Sequence, residues 1–132
     1  MKDPNNSCLF CNIKESGLAD ENTLAYASYD TYPVSESHCL IIPKRHVRKY
    51  FDLTNEEVIA CNDLIKSIKK KIEVNDPTVK GFNIGTNIGK ISGQSILHCH
   101  IHIIPRRKGD VENPQGGVRS VIPSKQHYKR KV

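Results

Sequence analysis

The segment Ser95-Ile96-Leu97-His98-Cys99-His100-Ile101-His102-Ile103-Ile104 decides how this sequence is interpreted. Its alternation and β-branched content predict a β-strand over 96–104 that Pro105 stops. Successive side chains of a strand point to opposite faces, so the three histidines would share one face at steps of roughly 6.6 Å. A helix would instead place His100 opposite the other two. The pattern therefore favours a strand that presents His98, His100 and His102 together.

The clearest helix begins at Thr54. Thr54-Asn55-Glu56-Glu57 is a capping box, in which a hydroxyl at the N-cap is followed three residues later by a carboxylate. Apolar residues then recur at intervals of three and four, as on the buried face of a helix. These residues are Val58, Cys61, Ile65, Ile68 and Ile72. Asn75-Asp76-Pro77 is predicted to end the helix.

Three further strands are predicted over 23–30, 38–42 and 81–86, and a glycine-bearing hairpin loop over 87–94. Short strands around one long helix predict an α+β domain. We expect a mainly antiparallel sheet of about five strands, with one long helix and a shorter one. The 132 residues form a single domain, with residues 1–7 as a disordered lead-in and residues 108–132 as an irregular C-terminal tail.

Composition excludes several classes of protein. No apolar run approaches the roughly 20 residues of a membrane span, so an integral membrane protein is excluded. The first ten residues do not resemble a signal peptide, and the five cysteines are an odd number, so we expect reduced thiols in the cytoplasm. The net charge of +6 attracts phosphate compounds. The basic patches 66–71 and 125–131 lack interleaved aromatic residues, so we expect no nucleic-acid partner.

The histidine face has two functional interpretations and one that involves no function. It could form a three-histidine metal site, a nucleophilic imidazole flanked by orienting partners, or a solvated polar face. Gly89, Lys90, Gly93, Gln94 and Ser95 precede it and offer backbone N–H groups and polar side chains, which suit an anion such as phosphate. No acidic residue lies among the histidines, which weakens the hydrolytic metal site.

Several motifs together carry a family resemblance. They are His98-x-His100-x-His102, Asn87 with Gly93-Gln94-Ser95, HCLIIPKRH (38–46), and Pro105-Arg106-Arg107-x-Gly109-Asp110. In this combination the chain resembles the histidine triad (HIT) family of nucleotide hydrolases and transferases. The frame covers about 30 to 110, most of the chain.

The resemblance implies roles for individual residues. His100 would attack the α-phosphorus and carry a covalent nucleotidyl group that water then removes. Ser95, Gln94 and His102 would hold the phosphate oxygens and the leaving group, with Asn87 and Gly93 in the same phosphate pocket. Asp30 would bind the ribose hydroxyls, although an Asp just before Pro33 is also typical of a turn. His38 would lie beside the triad or serve as a core histidine.

The pair Cys8-x-x-Cys11 needs two further ligands to hold a metal. Branches of the family bind zinc through two cysteines and two histidines, which here would be His46 and His98. Four protein ligands close the coordination sphere, so such a zinc would be structural. A catalytic zinc on the three histidines and a protein without zinc are the alternatives. No organic cofactor is expected.

The sequence thus predicts a hydrolase of dinucleoside polyphosphates or nucleoside phosphoramidates, with a purine nucleotide as substrate. Family resemblance also implies a cytoplasmic homodimer. The alternative is a zinc-stabilised nucleotide-binding interaction module without significant turnover.

Overall fold

The computed structural model describes residues 7–13 and 17–131. Five strands and one α-helix carry the fold. The strands are β1 (Leu18–Glu21), β2 (Ala25–Tyr29), β3 (Cys39–Pro43), β4 (Val79–Gly85) and β5 (Ile101–Arg107), and the helix is α1 (Asn55–Asn75). The sheet has the order β1-β2-β3-β5-β4, and every neighbouring pair is antiparallel. This confirms the predicted α+β class with its antiparallel five-stranded sheet.

Short 3-10 helices complete the secondary structure of the described residues. They span Leu9–Cys11, Tyr50–Asp52, Lys90–Ser92, Gly117–Val121 and Pro123–Lys125. Apart from α1, these are the helical segments of the described residues, so the expected second, shorter helix is not present as an α-helix there. The predicted lead-in 1–7 lies outside the described residues except for Ser7. Among the described residues, no helix combines the length and apolar character that a bilayer crossing requires.

Helix α1 covers one face of the sheet. Thr54 is its N-cap: the hydroxyl accepts from the backbone N–H of Glu57, and the Glu57 carboxylate accepts from the N–H of Thr54. The predicted capping box is therefore present. The apolar stripe of the helix packs against alternate residues of the strands, as period-two side-chain alternation requires. This core includes Leu64, Ile68, Ile41 and Ile103.

The N-terminal segment covers the opposite face. Phe10 packs there with Tyr26, Leu40 and Ile42, and the Tyr26 hydroxyl donates to the carbonyl of Phe10. All five residues of β3 are buried: Cys39 and Ile41 belong to the core beneath α1, and Leu40 and Ile42 belong to this second cluster. His102 is paired with Leu40 across the β3–β5 ladder, so it belongs to the face that the N-terminal segment covers.

Two boundaries of the histidine strand were predicted wrongly. The strand begins at Ile101, not at Ile96, because the backbone before it bonds elsewhere: the N–H of Cys99 donates to the carbonyl of Val47 at 2.7 Å. It also continues through Pro105 to Arg107. Beyond Ile103, β5 pairs with β4 alone, and a proline is tolerated where one side of a strand is unpaired.

Candidate functional site

Four sulfur and nitrogen donors converge beside the N-terminal segment. Nδ1 of His98 lies 3.4 Å from Sγ of Cys8 and 3.5 Å from Sγ of Cys11, and Nδ1 of His46 lies 3.3 Å from Sγ of Cys11. All four ligand atoms lie within 4.8 Å of one another. A tetrahedral zinc with bonds of about 2.3 Å to sulfur and about 2.0 Å to nitrogen sets its S···N separations at roughly 3.6 Å. The cluster therefore has the donors and the size that suit such an ion.

Each ligand of this cluster is held by the fold. Cys8 precedes the 3-10 turn Leu9–Cys11, Cys11 ends that turn, and His46 follows β3. Arg45, its neighbour, makes a two-point ion pair with the Glu57 carboxylate at 2.8 and 3.0 Å. His98 is fully buried, and its Nε2–H donates to the carbonyl of Pro43 at 2.7 Å. That bond leaves the Nδ1 lone pair of His98 facing the two sulfurs, as a metal ligand requires.

The same contacts bear on the three-histidine alternative. Both ring nitrogens of His98 are engaged away from His100 and His102. Among the described residues, His98 and His102 belong to two different groups of possible metal ligands, and His100 belongs to neither. The geometry therefore favours a closed Cys2His2 site over a three-histidine site.

His100 is a buried histidine with one ring nitrogen committed. Its Nδ1–H donates to the carbonyl of His98 at 2.8 Å, so Nε2 keeps its lone pair. The Phe10 ring meets it edge-on, with 4.9 Å between centroids, and the ring of His102 lies 5.3 Å away. Thr86 fixes the backbone here, since its hydroxyl donates to the carbonyl of His100 at 2.7 Å. These contacts orient the ring and place a proton on Nδ1, so Nε2 is the nitrogen available to act as a nucleophile.

His38 determines the tautomer of His102. The backbone N–H of Val34 donates to Nδ1 of His38 at 3.1 Å, so the proton of His38 is on Nε2. Nε2 lies 2.9 Å from Nδ1 of His102, which therefore accepts, and His102 keeps its own proton on Nε2. Burial lowers the pKa of His102 to about 4, and the His100 and His38 rings add to this effect. His102 is thus neutral at pH 7 and offers one N–H.

Asp30 completes this group. Its Oδ2 lies 3.5 Å from Nε2 of His38, and its Oδ1 accepts from the backbone N–H of Tyr32 at 2.9 Å. The turn role weighed from the sequence is therefore present. Asp30, His38 and His102 also have the spacing of a metal site. A metal on Nε2 of His38 would require the ring proton to be on Nδ1. Nδ1 already accepts a hydrogen bond from the N–H of Val34, so two N–H groups would then face each other. Asp30, His38 and His102 are therefore better described as a hydrogen-bond chain.

The predicted phosphate loop is a turn closed by Gln94. Gly89 and Gly93 have φ of 87° and 92°, which a side chain rarely adopts. The Gln94 amide donates to the carbonyls of Arg48 at 2.7 Å and Ile96 at 3.2 Å, and its Oε1 accepts from the N–H of Gly89 at 2.9 Å. Both amide hydrogens are thereby used. In this structure the Gln94 side chain therefore shapes the loop, and its predicted role in holding the phosphate oxygens and the leaving group stays a prediction. Ser95, next to it, is exposed.

A cleft of about 710 Å³ opens beside His38, His102 and Asn87. Its outer wall is the segment 111–126, which was expected only as an irregular tail. Cys8, Phe10 and Cys11 contact the histidines from the N-terminal segment, whereas Thr86 lines the cleft and bonds to the backbone of His100. Sequence analysis did not identify Phe10 or Thr86 as site residues. The position of Phe10 between the two metal-type cysteines was the available signal, whereas Thr86 had none.

Comparisons with known proteins agree with this geometry. A family model described as the HIT domain matches residues 14–109. An uncharacterised HIT-like protein of Methanocaldococcus jannaschii is 37% identical over an alignment of 112 residues, and the match covers 80% of this chain and 83% of that protein. An adenosine 5'-monophosphoramidase of Schizosaccharomyces pombe is 35% identical over 104 residues, and the match covers 76% of this chain and 74% of the yeast protein.

Solved structures show the same fold. A zinc-bound histidine triad family protein from Mycobacterium smegmatis superposes with a TM-score of 0.71 at 29% identity, covering 79% of this chain and 78% of the other. A hypothetical histidine triad nucleotide-binding protein from Sulfolobus tokodaii has a TM-score of 0.71 at 33% identity, covering 80% and 73%. With the matched motifs and the family model spanning most of its length, the chain belongs to the HIT family.

Proposed function

We propose that this protein is a nucleotide hydrolase that works through a nucleotidyl group on Nε2 of His100. The observation that carries the proposal is the bond from Nδ1–H of His100 to the carbonyl of His98 at 2.8 Å. This bond orients the ring and leaves Nε2 as the nitrogen that can attack phosphorus, and such a positioned imidazole is what nucleophilic catalysis requires. The similarity to the adenosine 5'-monophosphoramidase of Schizosaccharomyces pombe supports a phosphoramidate as the substrate.

The reaction has two displacement steps. The Nε2 lone pair of His100 attacks the α-phosphorus, the N–P bond forms, and the bond from phosphorus to the leaving group breaks. The leaving group keeps that electron pair and takes up one proton from solvent. Water then attacks phosphorus and gives one proton back to solvent, and the N–P electron pair returns to Nε2. His102 contributes its Nε2–H as a hydrogen-bond donor to the phosphate oxygens.

The other predicted site residues surround this reaction. In the proposal, the exposed Ser95 hydroxyl and the backbone at Gly93 bind phosphate oxygens, and Asn87 contributes from the cleft wall. Asp30 binds the ribose with the oxygen that the Tyr32 N–H does not occupy. His38 and Gln94 are positioning residues, because His38 orients His102 and Gln94 closes the loop.

We propose that Cys8, Cys11, His46 and His98 hold a structural zinc. The ion supplies four ligand bonds that tie residues 8–11 to the sheet, and no step of the reaction needs it. We propose the reducing cytoplasm as the location, which suits the buried Cys39, Cys61 and Cys99, since none of these three forms a disulfide. We also propose the homodimer that the resemblance implied.

The test is mass spectrometry of protein quenched within milliseconds after mixing with adenosine 5'-phosphoramidate. A mass increase of one adenylyl group on the peptide that contains His100 is expected. His100→Ala should show none, whereas His127→Ala, at an exposed histidine, should keep the adduct. Nucleotide binding without adduct or turnover would instead identify the protein as the zinc-stabilised binding module.

A further inference from the structure

The five cysteines of the chain fall into two chemically different groups. Cys39, Cys61 and Cys99 are buried, and burial raises the pKa of their thiols to about 12, about 11 and about 12 respectively. Cys8 and Cys11 are only partly buried. Oxidants react with the thiolate and not with the thiol, so the three buried cysteines are inert at neutral pH. An oxidant that reaches the folded protein therefore reacts first at Cys8 and Cys11.

The arrangement of Cys8 and Cys11 suits a reversible two-electron oxidation. Two residues separate them, and their sulfurs lie within 4.8 Å of each other. A bound zinc would hold both as thiolates, which is the form that a peroxide oxidises. The contact between Cys11 and His46 is exposed, so a small peroxide reaches this sulfur without opening the fold. A second cysteine this close captures the first oxidation product as a disulfide, before irreversible oxidation follows.

Phe10 links the two cysteines to the proposed nucleophile. It stands between them in the 3-10 turn Leu9–Cys11, it is 5% exposed, and its ring meets that of His100 edge-on with centroids 4.9 Å apart. Tetrahedral zinc holds two sulfurs roughly 3.8 Å apart, whereas a disulfide bond is about 2.05 Å long. The turn that carries Phe10 must absorb this contraction, so disulfide formation changes the packing of the Phe10 ring against His100.

His98 provides a second link. Its Nδ1 lies 3.4 Å from Sγ of Cys8 and 3.5 Å from Sγ of Cys11, while its carbonyl accepts from Nδ1–H of His100 at 2.8 Å. The same residue therefore serves the metal with its ring and the nucleophile with its backbone. Loss of the metal leaves the bond from Nε2 of His98 to the carbonyl of Pro43 as the anchor of that ring. The carbonyl that orients His100 is then held less firmly.

We propose that Cys8 and Cys11 form a reversible redox switch, in which hydrogen peroxide converts the zinc-bound pair to a disulfide and slows the hydrolase through Phe10 and His98. The inference rests on the proposed zinc site and, for the change in turnover, on the proposed function. It assigns to the metal cluster a regulatory role in addition to its structural one.

The oxidation has two steps. The Cys11 thiolate attacks one oxygen of hydrogen peroxide, the S–O bond forms, the O–O bond breaks, and the departing hydroxide takes up a proton to give water. The Cys8 thiolate then attacks the sulfur of the sulfenic acid, the S–S bond forms, and the second hydroxide leaves and takes up a proton. Two thiolates thus lose two electrons in total, and one peroxide becomes two water molecules. The chain releases Zn²⁺ to solvent, and a dithiol reductant returns the two electrons.

The test treats the zinc-loaded wild-type protein with hydrogen peroxide, and an untreated sample gives the baseline. A chromogenic chelator reports released zinc, mass spectrometry after alkylation maps the oxidised cysteines, and kcat is measured with adenosine 5'-phosphoramidate. We expect release of one zinc per chain and loss of two hydrogen atoms from the peptide with Cys8 and Cys11. We expect kcat to fall roughly tenfold, as loss of an orienting partner does. Dithiothreitol together with zinc should restore the initial kcat.

Two variants separate the switch from general damage by peroxide, and melting temperatures show that they are folded. Cys61→Ala removes a buried thiol of α1 and should leave both the zinc release and the fall in kcat unchanged. Phe10→Leu keeps the four ligands but removes the aromatic contact with His100. It should release zinc as the wild type does, with a smaller ratio of kcat before and after peroxide.

The outcomes separate this inference from the two proposals beneath it. Retention of zinc in peroxide, oxidation of Cys39, Cys61 or Cys99 before the pair, or an unchanged kcat after the disulfide has formed would each overturn the switch alone. A reduced protein that takes up no zinc would overturn the zinc site together with the switch. Absence of both turnover and the His100 adduct in the reduced, zinc-loaded protein would overturn the proposed function, and with it the control of turnover.

Discussion

Nε2 of His38 lies 2.9 Å from Nδ1 of His102, and the backbone N–H of Val34 on the other side of His38 fixes which of the two rings donates. The family signature contains the three histidines at 98, 100 and 102, but the protonated nitrogen of the third is set by a fourth histidine 64 residues away in the chain. In the proposed reaction, His38 therefore acts on the substrate through His102.

This relationship predicts the behaviour of variants of His38. Leu at this position leaves Nδ1 of His102 without its donor, so the ring can rotate or change tautomer. We expect kcat for adenosine 5'-phosphoramidate to fall roughly 10- to 100-fold, as loss of an orienting partner typically does, with KM changed less. His38→Gln places an amide N–H near the former Nε2 and should recover part of kcat. Equal losses in the two variants would contradict the orienting role.

His100→Ala tests the nucleophile. Turnover should fall by several orders of magnitude, because removal of a covalent nucleophile removes the pathway and not a single contact. Nucleotide affinity, measured by calorimetry, should change little, and the melting temperature should show that the variant is folded. A residual rate above about a tenth of the wild-type rate would assign the chemistry to another residue, with His102 the first to examine.

The pH dependence of stability tests the environment of His102. Its pKa is about 4 in the folded protein, chiefly through burial, against about 6.5 in the unfolded chain. As the pH falls through this window the unfolded chain binds a proton that the folded protein does not, so stability is complete above pH 6.5 and declines toward pH 4. The melting temperature should therefore fall between pH 7 and pH 5.

The matched variants are His102→Gln and His127→Gln. Removal of His102 should make the decline in melting temperature from pH 7 to pH 5 shallower, whereas replacement of the exposed His127 should leave the slope as it is. Carboxylates with a lowered pKa, such as Asp76 at about 2, take up protons at lower pH and do not contribute to the change in melting temperature between pH 7 and pH 5. Parallel slopes in the wild type and His102→Gln would contradict the burial argument.

Periodicity predicted the fold better than it predicted the ends of the elements. The α1 capping box and the antiparallel sheet follow from local pattern, and both are present. The strand predicted over 96–104 begins five residues later because the Cys99 N–H bonds to Val47, a partner distant in sequence. Strand β1 was not predicted, since its four residues LADE carry no alternation that marks a strand.

The candidate site also divides into features that local sequence patterns predict and features that depend on residues distant in the chain. Cys8, Cys11, His46 and His98, named from spacing and family resemblance, meet in the structure. The hydrogen bonds of Gln94 could not be predicted from the sequence. One partner, Arg48, is distant in the chain, and the other, Gly89, lies in a loop whose shape no local pattern specifies. The position of segment 111–126 as a wall of the cleft could not be predicted either, since its glycines and prolines are typical of any irregular tail.

Gly116 tests whether that wall is a fixed structure. Gly116→Ala meets both an unfavourable φ and the carbonyl oxygen of Gln126, whereas Gly109→Ala meets only an unfavourable φ of 81° in open space. Positive φ alone costs roughly 1–2 kcal/mol. We expect Gly116→Ala to lower the melting temperature more than Gly109→Ala and to expose residues 111–126 to limited proteolysis. Equal behaviour of the two variants would show that the segment can shift without loss.

Cys8→Ser tests the metal cluster. If Cys8, Cys11, His46 and His98 form a closed site, the variant should lose one zinc per chain and melt at a lower temperature, because metal-binding free energy contributes to folding in such sites. The reaction should survive in the folded fraction, since the Nε2 of His100 needs no metal to attack phosphorus. Its rate should nevertheless be lower, because Phe10 lies between the two cysteines and packs against His100.

Ser7→Ala, beside the cluster but outside its ligand set, is the matched control and should keep both zinc and melting temperature. Metal content, melting temperature and turnover are measured on the same samples, before and after dialysis against a chelator. A Cys8→Ser protein that retains one zinc per chain and loses all turnover on chelation would contradict the structural role. That result would place the metal on the histidine triad, where a catalytic zinc keeps an open position for water.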